Sequence, residues 1–229
     1  MKNNIPCFIL ARKGSKELKK KNKIKFLGKF LFEHTVNYAA KSKYVSKVII
    51  STDDKDIANI SKKMGCFVIF PRPKKLSNDS ANTETALLHA AKIFEKKFGF
   101  FDIFAYLQIT EPLRPRKILD KCIETLIKNK KIDSSFAAYE MHKNFWIKSQ
   151  KNYKLISSKN EVSKPRQKKI PVYREDTGIA LASRYKILKK NKRIGKRVKI
   201  ISYSSLHGIV DIHNLNDLKI AKYINNLKK

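Results

Sequence analysis

Apolar positions along the chain fall into short continuous runs that alternate with longer stretches of helical spacing. Ile5 to Leu10 is one such run, and it ends in the polar Ala11-Arg12-Lys13-Gly14-Ser15, as a buried strand does on entering a loop. Phe30 to Lys41 predicts a helix with Leu31, Val36 and Ala39-Ala40 facing inward. Lys47 to Ser51 predicts a second buried strand. Asp54 to Met64 predicts a helix with Ile57, Ile60 and Met64 on one side and Gly65 as its stop. Cys66 to Phe70 reads as a third strand closed by Pro71-Arg72-Pro73, and Thr83 to Phe98 as a long amphipathic helix. Asp102 to Gln108 and Arg116 to Lys128 repeat the strand-then-helix pattern.

This alternation is the sequence form of an α/β fold with a mostly parallel twisted sheet and flanking helices. In such sheets ligands bind beyond the carboxyl ends of the strands. Arg12 to Asn22, Thr52-Asp53-Asp54, Arg72, and Gln108 to Arg114 all fall there. The second half is less regular. Ser134 to Tyr139, Gly178 to Ala182 and Lys199 to Tyr203 have sheet-like patterns, and Leu215 to Leu227 reads as a closing helix. Residues 140–176 are polar and loop-rich, with Trp146 and Tyr153 as isolated aromatics, and predict a small strand-rich lobe. The 229 residues are expected to form a single domain, 1–229.

Charge changes the picture less than its size suggests. The chain carries 52 Lys plus Arg against 19 Asp plus Glu, a net +33. The excess is mostly lysine, 43 against 9 Arg, and cutting the chain at Leu76 and Asn152 gives 19, 13 and 20 basic residues. So even a spread reads as solvated lysine faces, whereas a nucleic-acid footprint would be an Arg-rich patch with aromatics between. Nucleic acid is therefore not the expected partner. Cys7, Cys66 and Cys122 are odd in number and widely spaced, which predicts reduced structural thiols and a cytoplasmic protein. No run approaches the length of a membrane span.

The loop after the first strand combines Gly14 and Ser15 with Arg12, Lys13, Lys16 and Lys21, a composition suited to polyphosphate oxygens, although it is not a GxxxxGK[ST] loop. Ala11-Arg12-Lys13-Gly14-Ser15-Lys16-Glu17-Leu18-Lys19-Lys20-Lys21-Asn22 resembles the signature A-R-x-G-S-K-x-(I/L)-x-x-K-N of the acylneuraminate cytidylyltransferases, or CMP-sugar synthetases. The resemblance continues in order through Ser51-Thr52-Asp53-Asp54, Arg72-Pro73 and Asp79-Ser80-Ala81-Asn82-Thr83. It then runs through Gln108-Ile109-Thr110-Glu111-Pro112-Leu113-Arg114, through Pro165-Arg166-Gln167 with Pro171 and Tyr173, and through Asp211-Ile212-His213 with Asp217-Leu218. It spans nearly the whole chain.

The resemblance implies a nucleotide-diphospho-sugar-transferase-like fold, a homodimer with residues 140–176 reaching across to the partner, and CMP transfer from CTP to a nonulosonic acid. It implies that Ala11, Arg12, Gly14, Ser15, Lys21, Asn22, Arg72, Ser80 and Asn82 hold the nucleotide. Gln108, Thr110, Arg166 and Gln167 would hold the sugar acid, and Arg12, Lys21 and Asp211 would be catalytic. Mg²⁺ would be held by Asp211 and His213. Its rivals are a Kdo cytidylyltransferase, a subgroup lacking the Lys-Asn ending seen at Lys21-Asn22, and a non-catalytic nucleotide- or polyanion-binding protein. Read without the resemblance, Asp53 and Asp54 are helix caps, Asn22 a turn residue and Glu111 a solvated loop carboxylate. Arg114 reads as the partner of a structural carboxylate, and His34 and His89 as packing residues. The sequence departs from the family pattern at Ile109 (usually Pro), Glu111 (usually Ser) and His213 (usually Asp). The last of these removes a hard oxygen ligand from the implied metal site.

Overall fold

The computed structural model describes residues 4–14, 18, 21–78, 80–150, 152–156 and 159–227. Ser15, Lys16 and Asp79, singled out above, lie outside the described residues.

Four parallel strands form one half of the sheet: β1 (Pro6–Ala11), β4 (Lys47–Thr52), β5 (Phe67–Ile69) and β6 (Ile103–Leu107), in the order β6-β1-β4-β5. Two-residue strands β2 (Lys25–Phe26) and β3 (Lys29–Phe30) form a small hairpin before α1 (Leu31–Ala40). The crossovers are α1, α2 (Lys55–Lys63) and α3 (Thr83–Phe98), and α4 (Ile118–Lys128) follows β6. Long apolar runs became strands because both faces of this sheet are covered. Along β1, Cys7, Ile9 and Ala11 join the core under α1, α2 and α4. Phe8 enters the opposite core with Leu87 and Phe94 of α3.

The other half of the sheet is mixed. β7 (Ser134–Met141) pairs in parallel with β12 (Val198–Tyr203) on one side. On its other side, β10 (Val172–Glu175) and β11 (Leu181–Arg184) lie end to end, both antiparallel to it, and β11 also joins β6. Ala138 pairs with Glu175 and Phe136 with Leu181, so residues 176–180 form a wide bulge opposite Ala137 alone. The strand expected at Gly178 to Ala182 therefore begins later, because the backbone of 176–180 is turned out of the ladder. The ends of the 140–176 segment belong to the main sheet. Between them stand the exposed hairpin β8 (Trp146–Ser149) and β9 (Asn152–Leu155) and the short helix α5 (Lys159–Val162). Helix α6 (Tyr185–Leu188) follows β11, and α7 (Leu215–Asn226) closes the chain.

Candidate functional site

The carboxyl ends of β1, β5 and β6 and the N-terminus of α3 surround a cavity of about 520 Å³. From the loop after β1 come Arg12, Gly14, Lys21 and Asn22, and from the loop after β5 comes Arg72. Asn82 and Thr83 stand at the start of α3. Tyr106, Gln108 and Thr110 come from the end of β6, and His213 from the segment before α7. Cations and the open N–H end of a sixteen-residue helix thus face one space, an arrangement that favours an anion.

Each element of this wall has a local cause. Thr52 at the end of β4 donates its hydroxyl to the Ala11 carbonyl (2.5 Å) and accepts from the Asp54 N–H (3.0 Å). Asp54 caps α2, accepting from the N–H groups of Asp56 (2.9 Å) and Ile57 (3.2 Å). Burial pushes its carboxyl up, but Lys23 at 2.9 Å and those N–H groups outweigh burial, and the net direction is down. Lys23 follows Asn22 directly, so α2 anchors the loop after β1. Asn22 closes that loop by donating its amide to the Arg12 carbonyl (2.8 Å), which is a positioning role. Asp53 accepts from the Lys13 N–H (2.7 Å) and lies 3.9 Å from the Arg72 guanidinium. Of the two carboxylates read as caps, Asp54 caps the helix and Asp53 ties the loop.

Arg72 is buried and oriented from three sides. Its N–H donates to the Thr52 carbonyl (2.8 Å), its Nε donates to Ser77 Oγ (3.1 Å), and Asp53 faces its end. Burial lowers the guanidinium pKa, Asp53 raises it and the nearby Arg12 lowers it. Ala11 is wholly buried and contributes only backbone. Asn82 caps α3 through the Glu84 N–H (2.7 Å) while facing the cavity. Ser80 is exposed and donates to Asn78 Oδ1 (3.1 Å), so Asn78, which sequence reasoning did not single out, takes the place on the wall.

Thr110 and the 211–213 segment are stitched together by the Ile212 N–H donating to the Thr110 carbonyl (2.8 Å). Asp211 Oδ2 and His213 Nε2 are 2.8 Å apart, and both side chains are about half exposed. Asp217 does not face the site. It accepts from the N–H groups of His213 (2.7 Å) and Asn214 (2.9 Å) and so closes the N-terminus of α7. Among the described residues no cluster of three or more His, Cys, Asp or Glu could hold a metal ion by itself.

Glu111 departs from the sequence reading. It is buried, not a solvated loop carboxylate, because the turn after β6 folds back under the bulge at 176–180. Burial pushes its carboxyl up to about 8; Arg114 opposes this, and Asp211 and Asp176 add to it. Arg114 forms no ion pair among the described residues. Its Nε donates to the Ile179 carbonyl (3.0 Å), its Nη2 donates to the carbonyls of Gly178 (3.2 Å) and Gln108, and its Nη1 donates to Thr35 Oγ1 (3.2 Å). It clamps the bulge onto the end of β6.

Arg166 and Gln167 are not brought to this cavity. Arg166 lines a separate space of about 380 Å³ with Tyr139, His142, Lys164 and Lys169, and Gln167 is exposed beside it. His34 is a packing residue that contacts the Phe26 carbonyl (2.7 Å) and the Phe26 ring. Burial raises the thiol pKa of Cys7 and Cys122 to about 12, as inert core thiols require.

Fold and site together define an α/β protein with an anion-accepting cleft at the carboxyl ends of its parallel strands. The chain belongs to the cytidylyltransferase family, whose model matches residues 7–225. It is therefore an enzyme of the nucleotidyltransferase class. It is 28% identical over 222 residues to a pseudaminic acid cytidylyltransferase of Campylobacter jejuni, covering 95% of this chain and 94% of that one. It is 25% identical over 233 residues to a CMP-N,N'-diacetyllegionaminic acid synthase of Legionella pneumophila, covering 98% and 97%. The fold is shared with a solved CMP:2-keto-3-deoxy-manno-octonic acid synthetase in complex with CTP, with a TM-score of 0.71 and 15% identity over 99% of this chain and 100% of that one. No helix among the described residues is long and apolar enough to cross a membrane.

Proposed function

We propose that this chain transfers CMP from CTP to the anomeric hydroxyl of a nonulosonic acid of the pseudaminic, legionaminic or sialic type, in the cytoplasm, with release of pyrophosphate. The observation that carries this reading is the convergence of Arg12, Lys21, Asn22, Arg72 and Asn82 on one cavity whose far wall is Gln108, Thr110 and His213. The sugar hydroxyl oxygen bonds to the α-phosphorus, the bond from that phosphorus to the oxygen bridging to the β-phosphate breaks with its electron pair leaving on pyrophosphate, and the hydroxyl proton passes to solvent water. Arg12 and Lys21 would take the triphosphate oxygens and the charge that grows on the leaving pyrophosphate. Arg72, oriented by Asp53 and Ser77, would sit toward the base. Gln108 and Thr110 would meet the sugar acid.

The residues fit Mg²⁺ with a single carboxylate. Asp211 is half exposed beside the cavity, and this ion binds through one or two carboxylates and otherwise takes water and substrate phosphates. When bound, it would neutralise phosphate charge. His213 would hold Asp211 in place and add no hard oxygen ligand. Arg166 and Gln167 would act in a homodimer, entering the partner's cavity from the lobe that carries them.

The test is pyrophosphate release from CTP, and in parallel from ATP, GTP and UTP, with a panel of nonulosonic acids that includes Kdo. Release with CTP and one nonulosonic acid is expected. Release with Kdo alone, or with no acid, overturns the reading.

A further inference from the structure

The turn after β6 carries a buried group that this chemistry does not use. Glu111 is 6% exposed, and its Oε2 has no hydrogen-bond partner among the described residues. A Cβ on Gly178 would stand 2.1 Å from Glu111 Oε2 and 2.9 Å from Gln108 Cδ. The carboxyl and the Gln108 amide therefore converge on the volume that any larger residue at 178 would fill.

The main chain of Gln108 is fixed on both sides. Its N–H donates to the Gly178 carbonyl (2.9 Å), and its carbonyl accepts from Arg114. Its side chain favours the ionised Tyr106 phenol against the burial that raises its pKa, and both residues line the cavity. A fixed main chain still leaves the terminal amide torsion with two broad settings. They present opposite chemistry to a ligand, an acceptor oxygen or an NH₂ donor. One further contact is needed to choose between them, and Glu111 is placed to supply it.

The charged and titratable groups facing Glu111 are Arg114 on its own turn, Arg174 and Asp176 from β10 and the bulge, Asp211 from the segment before α7, and Tyr106 on β6. Burial outweighs Arg114, so the carboxyl keeps its proton to about pH 8. A protonated carboxyl is a donor at one oxygen and an acceptor at the other, which complements an amide.

We propose that Glu111 is the positioning residue that orients the Gln108 amide and, through it, sets how tightly the cavity holds the acidic sugar. The inference rests on the functional reading above and extends it to the residue that tunes sugar binding.

Steady-state pyrophosphate release by wild type, Glu111→Ala and Glu111→Gln tests it, with CTP and the sugar acid varied separately. Glu111→Ala is expected to raise KM for the sugar acid about tenfold and to leave KM for CTP within about twofold. Glu111→Gln, which also offers a donor and an acceptor, is expected to restore the sugar KM to within about twofold of wild type. An unchanged sugar KM in Glu111→Ala, an equal rise for both substrates, or a Gln variant as poor as the Ala variant overturns the inference while leaving the functional reading standing. If Glu111→Ala does not fold, the pH profile decides. The wild-type sugar KM should rise above about pH 8 while that of Glu111→Gln stays level, and parallel profiles overturn the inference. A wild type that binds CTP but turns over no nonulosonic acid overturns the functional reading, and this inference with it.

Discussion

At the scale of single residues, the site separates groups that touch substrate from groups that hold them. Arg12 belongs to the first kind in the proposed reading. Its loop is pinned by other residues, through Asn22 to its carbonyl and Asp53 to the neighbouring Lys13 N–H. Arg12→Ala should therefore lower kcat/KM for CTP by about 100-fold or more while the thermal midpoint stays within a few degrees of wild type. Wild-type-like kinetics in that variant would remove Arg12 from the catalytic set. Glu111 is of the second kind, and it carries a stability signature. An unfolded chain ionises this carboxyl near 4.5, whereas burial keeps the proton on in the folded chain to about 8. Between those values the folded state binds more protons, so stability falls as pH rises through the window and levels off above it. The loss is on the order of a few kcal/mol. Glu111→Gln cannot ionise, so urea denaturation should find the two proteins similar near pH 5 and the variant more stable near pH 8. A constant difference between them at both pH values would place the Glu111 carboxyl in a more solvated setting than its burial indicates.

At the scale of elements, the N-terminus of α2 links the helix to the loop after β1. Asp54→Ala removes the cap on Asp56 and Ile57 and the ion pair to Lys23. The lost cap costs about 1 kcal/mol of stability. Because Lys23 is the residue after Asn22, KM for CTP should rise several-fold with kcat little changed, as steady-state kinetics would show. A stability loss with no change in KM would mean that the cap serves the helix alone. The elements that were legible in the sequence are those fixed by local pattern. Strands β1, β4, β5 and β6 and helices α1 to α4 follow from apolar runs and helical spacing, and the cavity-facing Arg12, Lys21, Asn22, Arg72 and Gln108 lie in the segments after strand ends and are singled out by the resemblance. What local pattern could not show depends on partners distant in sequence. The bulge at 176–180 exists because Arg114 and Gln108, some seventy residues earlier, donate to the Gly178 and Ile179 carbonyls that a sheet ladder would otherwise use. Glu111 reads as solvated until that bulge closes over it. Its one early signal was a departure from the pattern its neighbours follow, a carboxylate where the resembling family has serine.

At the scale of the whole molecule, a net charge of +33 coexists with a site that uses only a few cations, because most lysines lie on solvated faces. At this scale Arg166 stands apart, lining a space of its own and not the cavity of Arg12. The hairpin β8–β9 beside it exposes Trp146, Ile147 and Tyr153, at 60%, 56% and 67%. Trp146 and Tyr153 share one face of this hairpin and Ile147 faces the other, and exposed apolar surface of this kind is costly in water unless a second surface covers it. In the proposed homodimer the lobe is covered and each complete site takes Arg12 from one chain and the partner's Arg166. Sedimentation should then give twice 26.6 kDa for the wild type, and Trp146→Ser with Ile147→Ser should give the monomer with lost turnover. Mixing provides the sharper measurement. Arg12→Ala and Arg166→Ala are each expected to be inactive, but a refolded equimolar mixture is half heterodimer, and each heterodimer has one site with both arginines intact and one with neither. About a quarter of wild-type turnover should return. If the mixture stays as inactive as its components, Arg166 acts within its own chain or not at all, and the shared-site dimer is wrong.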